Sequence, residues 1–445
     1  MKKGMFFALA ASSLLFSACS SDDAVVSTEG QNEAVQQIVL QVASSGDGLS
    51  TRAGRPLYSS QALQTIQHVR VVIYDATTNA IVKDKTLDWK DSKTYDNHGR
   101  QLTLTYKGND RLEKGNYKVM AVGYSDNSDY EYSLNATNAV GLTYSDLTAT
   151  LKAGKKDAEE VFAGDAELKI GVDKNITNFT SGEKNGVAVT LHRQVAGSFG
   201  YFSNIPAKVG EKTAATLRLV VRGKNDKLTF NHFNSSFTTT GNTIQYYVNG
   251  STSTPGAPLA PDAKFNNNED GYVLYSINLK TWFPRLDENG DGVLNAQDGS
   301  WKRPDDVKTQ VVKGSVFGSN FVIPFALTHD KSTMELQLLD DAGDIIKKWT
   351  VSIPAINSNT ANGATDESTS IFNVVRNHMY NLGVKISNGT PTDPDPSNPT
   401  PDPDPDPKPT PDPGKDEPED LTKSQNLILK VNDNWEVIHK LELGD

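Results

Sequence analysis

Oxygen-bearing side chains recur at alternate positions in the segment DENGDGVLNAQD, which spans 287–298. Oxygen atoms with this spacing can wrap around a hard cation such as Ca²⁺ as the backbone turns, and the glycine at the sixth position allows a sharp bend. We therefore predict a structural calcium site without a catalytic role. A turn that binds no metal is the alternative interpretation. The predicted ligands are the side chains of Asp287, Asn289, Asp291, Asn295 and Asp298 and the carbonyl oxygen of Val293.

Other residue types that are common in active sites do not form the pattern of an active site. The 7 histidines lack the spacing of a zinc site, and the sequence contains neither a G-x-S-x-G elbow nor a phosphate-binding glycine loop. We therefore predict that the protein is not an enzyme. Four tryptophans would suit a sugar site, although packing in a core or an interface is their more frequent role. They are Trp89, Trp282, Trp301 and Trp349.

The single cysteine, Cys19, ends an N-terminal segment with the pattern of a lipoprotein signal peptide. Two lysines precede an apolar run over 5–16, which is shorter than the roughly 20 residues that span a membrane. We predict a signal peptide over 1–18 and a lipid, such as palmitate, on the thiol of Cys19. A free cysteine in the signal region is the alternative. One cysteine cannot form an intramolecular disulfide, so the exported domains depend on packing.

The composition indicates a globular protein that does not bind nucleic acid. The chain has 445 residues, of which 36% are hydrophobic, and this is enough for two ordinary cores. Its formal net charge is -11, and no stretch contains the clustered lysines and arginines that binding to phosphate groups requires.

Strand-like patterns follow one another along most of the chain, with little helical periodicity. Examples are HVRVVIYD, NYKVMAVGY and the hairpin TMELQLLDDAGDIIKKWTVSI. We predict an all-β fold with two antiparallel β-sandwich domains, at 53–183 and 184–388. A Pro/Asp-rich linker over 389–420 should not fold, because proline lacks an N–H donor and the acidic residues repel one another. The linker leads to a strand-like tail at 421–445.

Two short segments at opposite ends of the chain share one pattern. IVLQV at 38–42 and LILKV at 427–431 each have aliphatic residues at positions one, two, three and five and a long polar residue at position four. They could occupy the same strand position, although two unrelated strands would show the same pattern. The first copy lies in a predicted propeptide, 19–52, just before a Gly/Ser-rich loop that a protease could enter after Arg52.

Cleavage there would remove the first strand together with its lipid and leave a strand position empty. A tail from another molecule could fill this position through backbone pairing and alternating side chains. Since each subunit both offers a tail and holds a groove, the contact would propagate head to tail. Insertion of the tail into its own chain is not excluded. The predicted donor residues are Leu427, Leu429, Val431, Trp435, Val437, Leu441 and Leu443.

Several segments together resemble the fimbrillin family of type V pili, in particular its minor fimbrillins. They are the region around Cys19, the STRAG loop, VVRNHMYNLGVKI, the PDPDPSNP linker and the LKVNDNWEVIHKLEL tail. The resemblance implies transthyretin-like β-sandwich domains, a lipidated precursor in the outer membrane of a Gram-negative bacterium, and an arginine-specific protease that cuts between Arg52 and Ala53. It also implies a structural subunit of a cell-surface fimbrium that supports adhesion, with other fimbrial subunits as partners.

Two other roles are alternatives to a polymerising shaft subunit. One is a tip or accessory fimbrial subunit, and the other is a surface-tethered lipoprotein that binds calcium and glycans and keeps its first strand. The combination of a cleavable loop and a donor tail favours the shaft, because an anchor should keep its first strand and a tip need not donate one. Host or bacterial receptors would be further partners.

Overall fold

The computed structural model describes residues 35–432 except for 43–65, 96–98, 146, 180–185, 222–223, 231–236, 241–242, 249–250, 253–262, 266–268, 306, 308–310, 329–333, 353–370, 375, 377–378, 385–415 and 424–425. Within this part of the chain nearly every element is a β-strand, so the all-β prediction is confirmed. The helical elements described are a short helix, α1 (Leu279–Trp282), and two 3₁₀ turns, Trp89–Asp91 and Gly108–Asp110.

The first ten strands lie in the N-terminal half of the chain. They are β1 (Gln36–Val42), β2 (His68–Asp75), β3 (Ile81–Asp88), β4 (Lys93–Tyr95), β5 (Gly99–Tyr106), β6 (Gly115–Tyr124), β7 (Tyr130–Tyr132), β8 (Thr148–Leu151), β9 (Phe162–Ile170) and β10 (Gly186–Arg193).

The remaining strands follow from residue 196 onwards. They are β11 (Ala196–Ser203), β12 (Ile205–Pro206), β13 (Lys208–Val209), β14 (Lys212–Thr213), β15 (Thr216–Val221), β16 (Lys227–Thr229), β17 (Phe237–Thr240), β18 (Thr243–Val248), β19 (Ser251–Thr252), β20 (Ala263–Phe265), β21 (Glu269–Asn278), β22 (Val293–Leu294), β23 (Ser315–Val322), β24 (Phe325–Thr328), β25 (Met334–Leu339), β26 (Ile345–Ser352), β27 (Ile371–Val374), β28 (Met379–Leu382), β29 (Glu419–Asp420), β30 (Asn426–Ile428) and β31 (Lys430–Asn432).

The first domain is one sheet of eight strands that folds around its own core. The strand order is β3-β2-β6-β9-β10-β1-β5-β4. Ile38 from β1 and Val189 from β10 belong to the same buried cluster as Val71 from β2 and Ala121 from β6. Because these strands lie in opposite halves of the sheet, the two halves must face each other in a sandwich.

The second domain packs two larger sheets against each other. One has the order β23-β11-β28-β31, with β29 also paired to β11, and the other has the order β20-β21-β15-β25-β26-β30. Phe199 of β11, Leu219 of β15 and Leu336 of β25 are fully buried in the core between them.

The two domains share part of this core. Val72 and Met120 of the first domain belong to the same buried cluster as Leu219 of the second. In addition, β16 of the second domain pairs with β8 in a three-stranded sheet of order β16-β8-β7. The domains are therefore joined by both packing and backbone pairing.

The structure places the division between the domains later than the predicted position at 183/184. Strand β10 pairs with β9 and with β1, so it belongs to the first domain. The continuous segment VAVTLHRQVAGSFGYF divides at Gln194 and Val195, and β11 then enters the second domain. Its strand-like pattern continues across the change of sheet and both halves are buried strands, so the boundary was not visible in the sequence.

The end of the predicted linker is also part of the second domain. Strand β29 pairs with Phe202 and Ser203 of β11, and Leu421 after it is fully buried. The Pro/Asp repeats themselves lie within 385–415, outside the described residues.

Candidate functional site

Strand β1 is first in the chain but lies inside the first-domain sheet. It runs parallel to β10, with six paired residues from Gln37 opposite Gly186 onwards. It runs antiparallel to β5, with six paired residues from Gln36 opposite Tyr106 onwards. Both backbone edges of β1 are therefore paired with neighbouring strands. Removal of β1 would leave the facing edges of β5 and β10 unpaired.

The aliphatic side chains of β1 are buried on both faces. Ile38 and Leu40 contribute to the first-domain core and are 1% and 0% exposed, and Val39 on the opposite face is 1% exposed. A strand covered on both sides needs a continuous apolar run instead of strict alternation. This explains why IVLQV begins with three aliphatic residues.

A buried glutamine fixes the start of β1. The Gln36 side chain is 1% exposed, and its Nε2 donates to the carbonyl oxygens of Leu112 at 3.0 Å and Lys174 at 2.8 Å. Its Oε1 accepts from the backbone N–H of Leu112 at 2.7 Å. We call these three backbone groups the Gln36 clamp. The Arg111 guanidinium donates to the Lys174 and Asp173 carbonyls at 2.6 and 3.0 Å and holds the clamp in place.

The role of Gln36 was not predicted from the sequence. The segment QQIVLQVA reads as a strand, but a polar residue before an apolar run is not in itself a signal of burial. The clamp partners lie 76 and 138 residues away in the chain, so the contact becomes visible only in the folded structure.

The covalent connection from β1 to the rest of the protein runs through 43–65, outside the described residues. The predicted cleavage residues Arg52 and Ala53 lie in this segment, and the predicted lipidation residue Cys19 precedes the described residues. The chain is described again from Ile66, which is 3% exposed and packs in the first-domain core. A cut anywhere between these two points would leave β1 held only by non-covalent contacts.

The described part of the tail packs on its own second domain. Strand β30 runs parallel to β26, and β31 runs antiparallel to β28, so the tail connects the two sheets of that domain. Leu427 and Leu429 are each 1% exposed in its core. The structure therefore does not bring these predicted donor residues to the β1 position. Val431 pairs with Tyr380 through the backbone.

The other predicted donor residues lie beyond the described part of the chain. They are Trp435, Val437, Leu441 and Leu443.

Polar contacts hold the segment that leads into the tail. The Tyr201 hydroxyl lies 3.2 Å from Asp416 Oδ2 and accepts from the Val312 N–H at 2.8 Å, and burial raises the pKa of this tyrosine. Asn204 Nδ2 donates to Asp420 Oδ2 at 2.8 Å.

The Asp420 carboxylate is the charged centre of these contacts. Burial alone would raise its pKa, but hydrogen bonds from Thr422, Lys423 and Asn204 outweigh that effect and hold the pKa of Asp420 well below its usual range. The ionised carboxylate therefore stabilises the docked segment.

The predicted calcium loop adopts a tight fold in which its three aspartate side chains accept hydrogen bonds. Asp287 has a φ of 52° and Gly292 a φ of 83°, and the Gly292 N–H donates to Asp287 Oδ1 at 2.9 Å. Asp298 is fully buried and accepts from the N–H groups of Glu288 and Asn295, both at 2.8 Å. The two ends of the loop are thereby tied together.

Asp291 lies at the centre of the loop and accepts three hydrogen bonds. They come from the side-chain amides of Asn289 at 2.9 Å and Asn295 at 2.8 Å and from the Val293 N–H at 2.8 Å. The bond from Asn295 contributes most to lowering the pKa of Asp291. In this arrangement the two amide groups present nitrogen, not oxygen, to the carboxylate.

The loop contains the oxygen donors of a calcium site but does not hold them in ligand geometry. No group of three His, Cys, Asp or Glu residues in the described part of the chain is arranged to hold a metal ion. Rotation of the Asn289 and Asn295 amides would turn their oxygens inward. The residues present therefore fit Ca²⁺ in chemical type.

A family model described as fimbrillin-A associated anchor proteins Mfa1 and Mfa2 matches residues 49–309. The chain belongs to this family. The resemblance to fimbrillins is thus confirmed. No curated protein matches the chain. Membership makes the protein a fimbrial structural or accessory subunit, and it places the protein in cell-surface fimbriae.

Solved structures of fimbrial proteins are similar to the chain at low identity. The fimbrial anchor protein Mfa2 from Porphyromonas gingivalis is 10% identical, with 78% of this chain and 90% of that chain covered and a TM-score of 0.35. The tip fimbrial protein Mfa3 from the same organism, with C-terminal truncation, is 11% identical, with coverages of 79% and 95% and a TM-score of 0.30. A fimbrial assembly protein from Parabacteroides distasonis is 15% identical, with coverages of 80% and 92% and a TM-score of 0.33.

The four tryptophans in the described part of the chain serve packing. Trp89, Trp282 and Trp349 are at most 3% exposed. Trp301 is partly buried against the second-domain core and donates from Nε1 to the Ser315 carbonyl at 2.9 Å. These four side chains form no exposed aromatic platform for a sugar.

The described residues include no helix that is both long and apolar enough to cross a membrane.

Proposed function

We propose that this protein is a fimbrial subunit that polymerises by strand exchange after proteolysis. An arginine-specific protease cuts between Arg52 and Ala53, and β1 then leaves with the lipid carried by Cys19. The tail of a neighbouring subunit, 421–445, takes the vacated position between β5 and β10. The observation that supports this most is that β1 pairs on both sides, although a single segment, 43–65, joins it to the body.

The energetics of the β1 position favour replacement over an open groove. Loss of β1 would expose two unpaired strand edges and the part of the core that Ile38 and Leu40 fill. Burial of each such side chain is worth roughly 1.5 to 3 kcal/mol. A strand with the same pattern, such as LILKV in the tail, would recover both the pairing and the burial.

The full-length chain has the properties of a precursor that cannot polymerise. Its own β1 fills the first-domain position, and the described part of its tail packs on the second domain. The tail forms three residue pairs with β26 and three with β28, whereas β1 forms six on each side. Transfer of the tail to a neighbour would therefore increase its backbone pairing.

A terminal anchoring subunit is the second candidate. It is favoured by the family description, which names anchor proteins, and by the self-docked tail. In this role the protein would keep β1 and its lipid in the outer membrane and would hold a fimbrium by other contacts. Either role has other fimbrial subunits as partners, and both allow adhesion to host or bacterial receptors.

We also propose that the 287–298 loop binds Ca²⁺ as a structural ion. The supporting observation is a loop already closed by the buried Asp298, with oxygen-bearing side chains at the alternate positions. The loop packs closely on the second domain, because a Cβ at Gly314 would lie 2.1 Å from the Ala296 nitrogen. A bound ion would stiffen this contact.

Two variants test strand exchange directly. Deletion of 421–445 should abolish fimbriae, because the donor is lost. Since the deletion also removes Leu421, Leu427 and Leu429 from the second-domain core, thermal unfolding of the purified monomer is measured alongside to separate loss of the donor from loss of folding. Arg52→Ala should retain β1 and block assembly, whereas Arg55→Ala is a matched control, since Pro56 makes Arg55 a poor cleavage site. Fimbriae that form normally from the deletion variant would refute the exchange. Anchored, lipidated Arg52→Ala protein that still supports fimbriae of other subunits would instead favour the anchoring role.

A further inference from the structure

The Gln36 clamp lies at one end of the proposed exchange site and accepts a specific side chain. It presents two carbonyl oxygens, from Leu112 and Lys174, and one N–H donor, from Leu112, to a buried position. A primary amide matches this set because it offers two donors on nitrogen and an acceptor oxygen. Glutamine has the length that reaches it from the strand backbone.

The tail carries a glutamine at the equivalent position. The alignment of LILKV with IVLQV, extended by two residues towards the N-terminus, sets QNLILKV at 425–431 beside QQIVLQV at 36–42. The shared pattern is glutamine, amide, three aliphatics, a long polar residue and valine. Gln425 thus corresponds to Gln36, and Leu427 and Leu429 correspond to Ile38 and Leu40.

We infer that Gln425 of a neighbouring subunit enters the Gln36 clamp and fixes the register of the donor strand. This inference rests on the proposed strand exchange. The incoming tail runs in the direction of β1, parallel to β10 and antiparallel to β5. The glutamine is the N-terminal residue of the docked strand. The ligand of the clamp is therefore a side chain from a second copy of this chain.

The register of the donor strand needs such a polar contact, because aliphatic side chains alone do not select a single register. A slip by one residue would put either Lys430 in the place of Leu40 or Asn426 in the place of Ile38, so a polar residue on the core face already excludes it. A slip by two residues would keep aliphatic side chains on the core face, with Leu429 and Val431 in the places of Ile38 and Leu40. It would also put Leu427 into the clamp.

That slipped arrangement is unfavourable because of the clamp. Leu427 would leave the Leu112 N–H and carbonyl without the amide that pairs with them, and an unpaired buried polar group costs more than a hydrogen bond gains. The same slip would carry Lys430 into the place of the buried Val39. The clamp thus selects the register in which the glutamine is seated.

Engineered disulfides can report the register between neighbouring subunits. Thr103 of β5 is exposed and lies opposite Val39, so the correct register places Ile428 there and the slipped register places Lys430 there. Directly paired strand residues are close enough for a disulfide. The double variants Thr103→Cys/Ile428→Cys and Thr103→Cys/Lys430→Cys are compared on full-length protein processed and assembled in cells.

We expect the Ile428→Cys pair to form covalent ladders and the Lys430→Cys pair to form at least about tenfold fewer. Addition of Gln425→Leu should reduce the Ile428→Cys ladder at least about tenfold, because the clamp would lose its amide. The matched control Asn426→Leu changes the neighbouring residue, whose counterpart Gln37 is half-buried, and it should leave the ladder unchanged.

The outcomes separate this inference from the proposal on which it rests. An unchanged Ile428→Cys ladder with Gln425→Leu, in fimbriae that still require 421–445, would overturn the role of Gln425 and leave strand exchange intact. A dominant Lys430→Cys ladder would likewise overturn it. Fimbriae that form without 421–445 would overturn strand exchange itself.

Discussion

At the scale of single residues, β1 is held by a few side chains whose burial can be tested one at a time. Leu40 is 0% exposed in the first-domain core, whereas Gln37 of the same strand is half-buried. Sequence analysis predicted the aliphatic residues of this strand, because a run of branched side chains indicates a buried strand. It could not identify Gln36, whose partners come from distant loops.

Leu40→Ala should destabilise the full-length protein by about 2 to 5 kcal/mol, because it leaves a cavity between the halves of the first-domain sandwich. Gln37→Ala should change the free energy of unfolding by less than about 0.5 kcal/mol. Chemical denaturation of both variants measures the difference. Equal, small effects would mean that β1 is not part of the stable core.

The low pKa of Asp420 predicts acid sensitivity of the segment that leads into the tail. A carboxyl group whose pKa is lower in the folded state contributes stability above its unfolded pKa, which is about 3.9. That contribution is lost as the pH falls below about 4 towards the folded pKa. Hydrogen exchange at the Leu421 N–H, which donates to the Ser203 carbonyl at 3.1 Å, should therefore accelerate at low pH.

The Asp420→Asn variant provides the control for this effect. Its exchange rate at Leu421, corrected for the intrinsic pH dependence of exchange, should be faster at neutral pH and nearly constant down to pH 3. An identical acid response in the variant and the original protein would assign the sensitivity to another group.

At the scale of elements, strand type was predictable but strand partners were not. The alternation in HVRVVIYD and NYKVMAVGY identified β2 and β6, and the sequence also linked β1 to the tail by their common pattern. Pairing of β1 with β10 joins residues about 150 positions apart, and short-range periodicity contains no information on such a distance. The docking of β30 on β26 was left open for the same reason.

The 287–298 loop is an element whose proposed ion can be tested by stability. The melting temperature of protein stripped with chelator should rise when Ca²⁺ is added. An ion that binds only the folded state stabilises it by about 2.7 kcal/mol when the free ion concentration is 100 times the Kd. Asp291→Ala should remove this gain. The matched control Asp341→Ala changes an exposed acidic residue in the β25-β26 turn and should retain it. A Ca²⁺ response that survives Asp291→Ala would place the ion elsewhere.

At the scale of the whole molecule, the two domains are joined by a shared core and by backbone pairing between β8 and β16. The boundary predicted from sequence fell before β10, although that strand completes the first domain and leads directly into the second. At the end of β10, Arg193 forms a buried ion pair with Glu160, with Nε 2.6 Å from Oε1. Both side chains are at most 4% exposed, so the pair is largely removed from water.

Loss of one partner of this pair should be costly. Arg193→Met should destabilise the protein by about 3 to 5 kcal/mol, because it removes the guanidinium that pairs with the buried Glu160 carboxylate. The double variant Glu160→Gln/Arg193→Met should recover much of that loss. Thermal unfolding of the four proteins in a double-mutant cycle measures the coupling. Additive effects of the two substitutions would show that the pair does not act as a unit.

The most direct test of the account is the N-terminus of the subunits within purified surface fimbriae. Mass spectrometry of dissociated fimbriae should find chains that begin at Ala53 and still contain the tail from 421 onwards, because each subunit has lost β1 and uses its tail in a neighbour. Assembled chains that still contain residues 36–42 would contradict the account, since the β1 position would then be filled by the subunit's own strand.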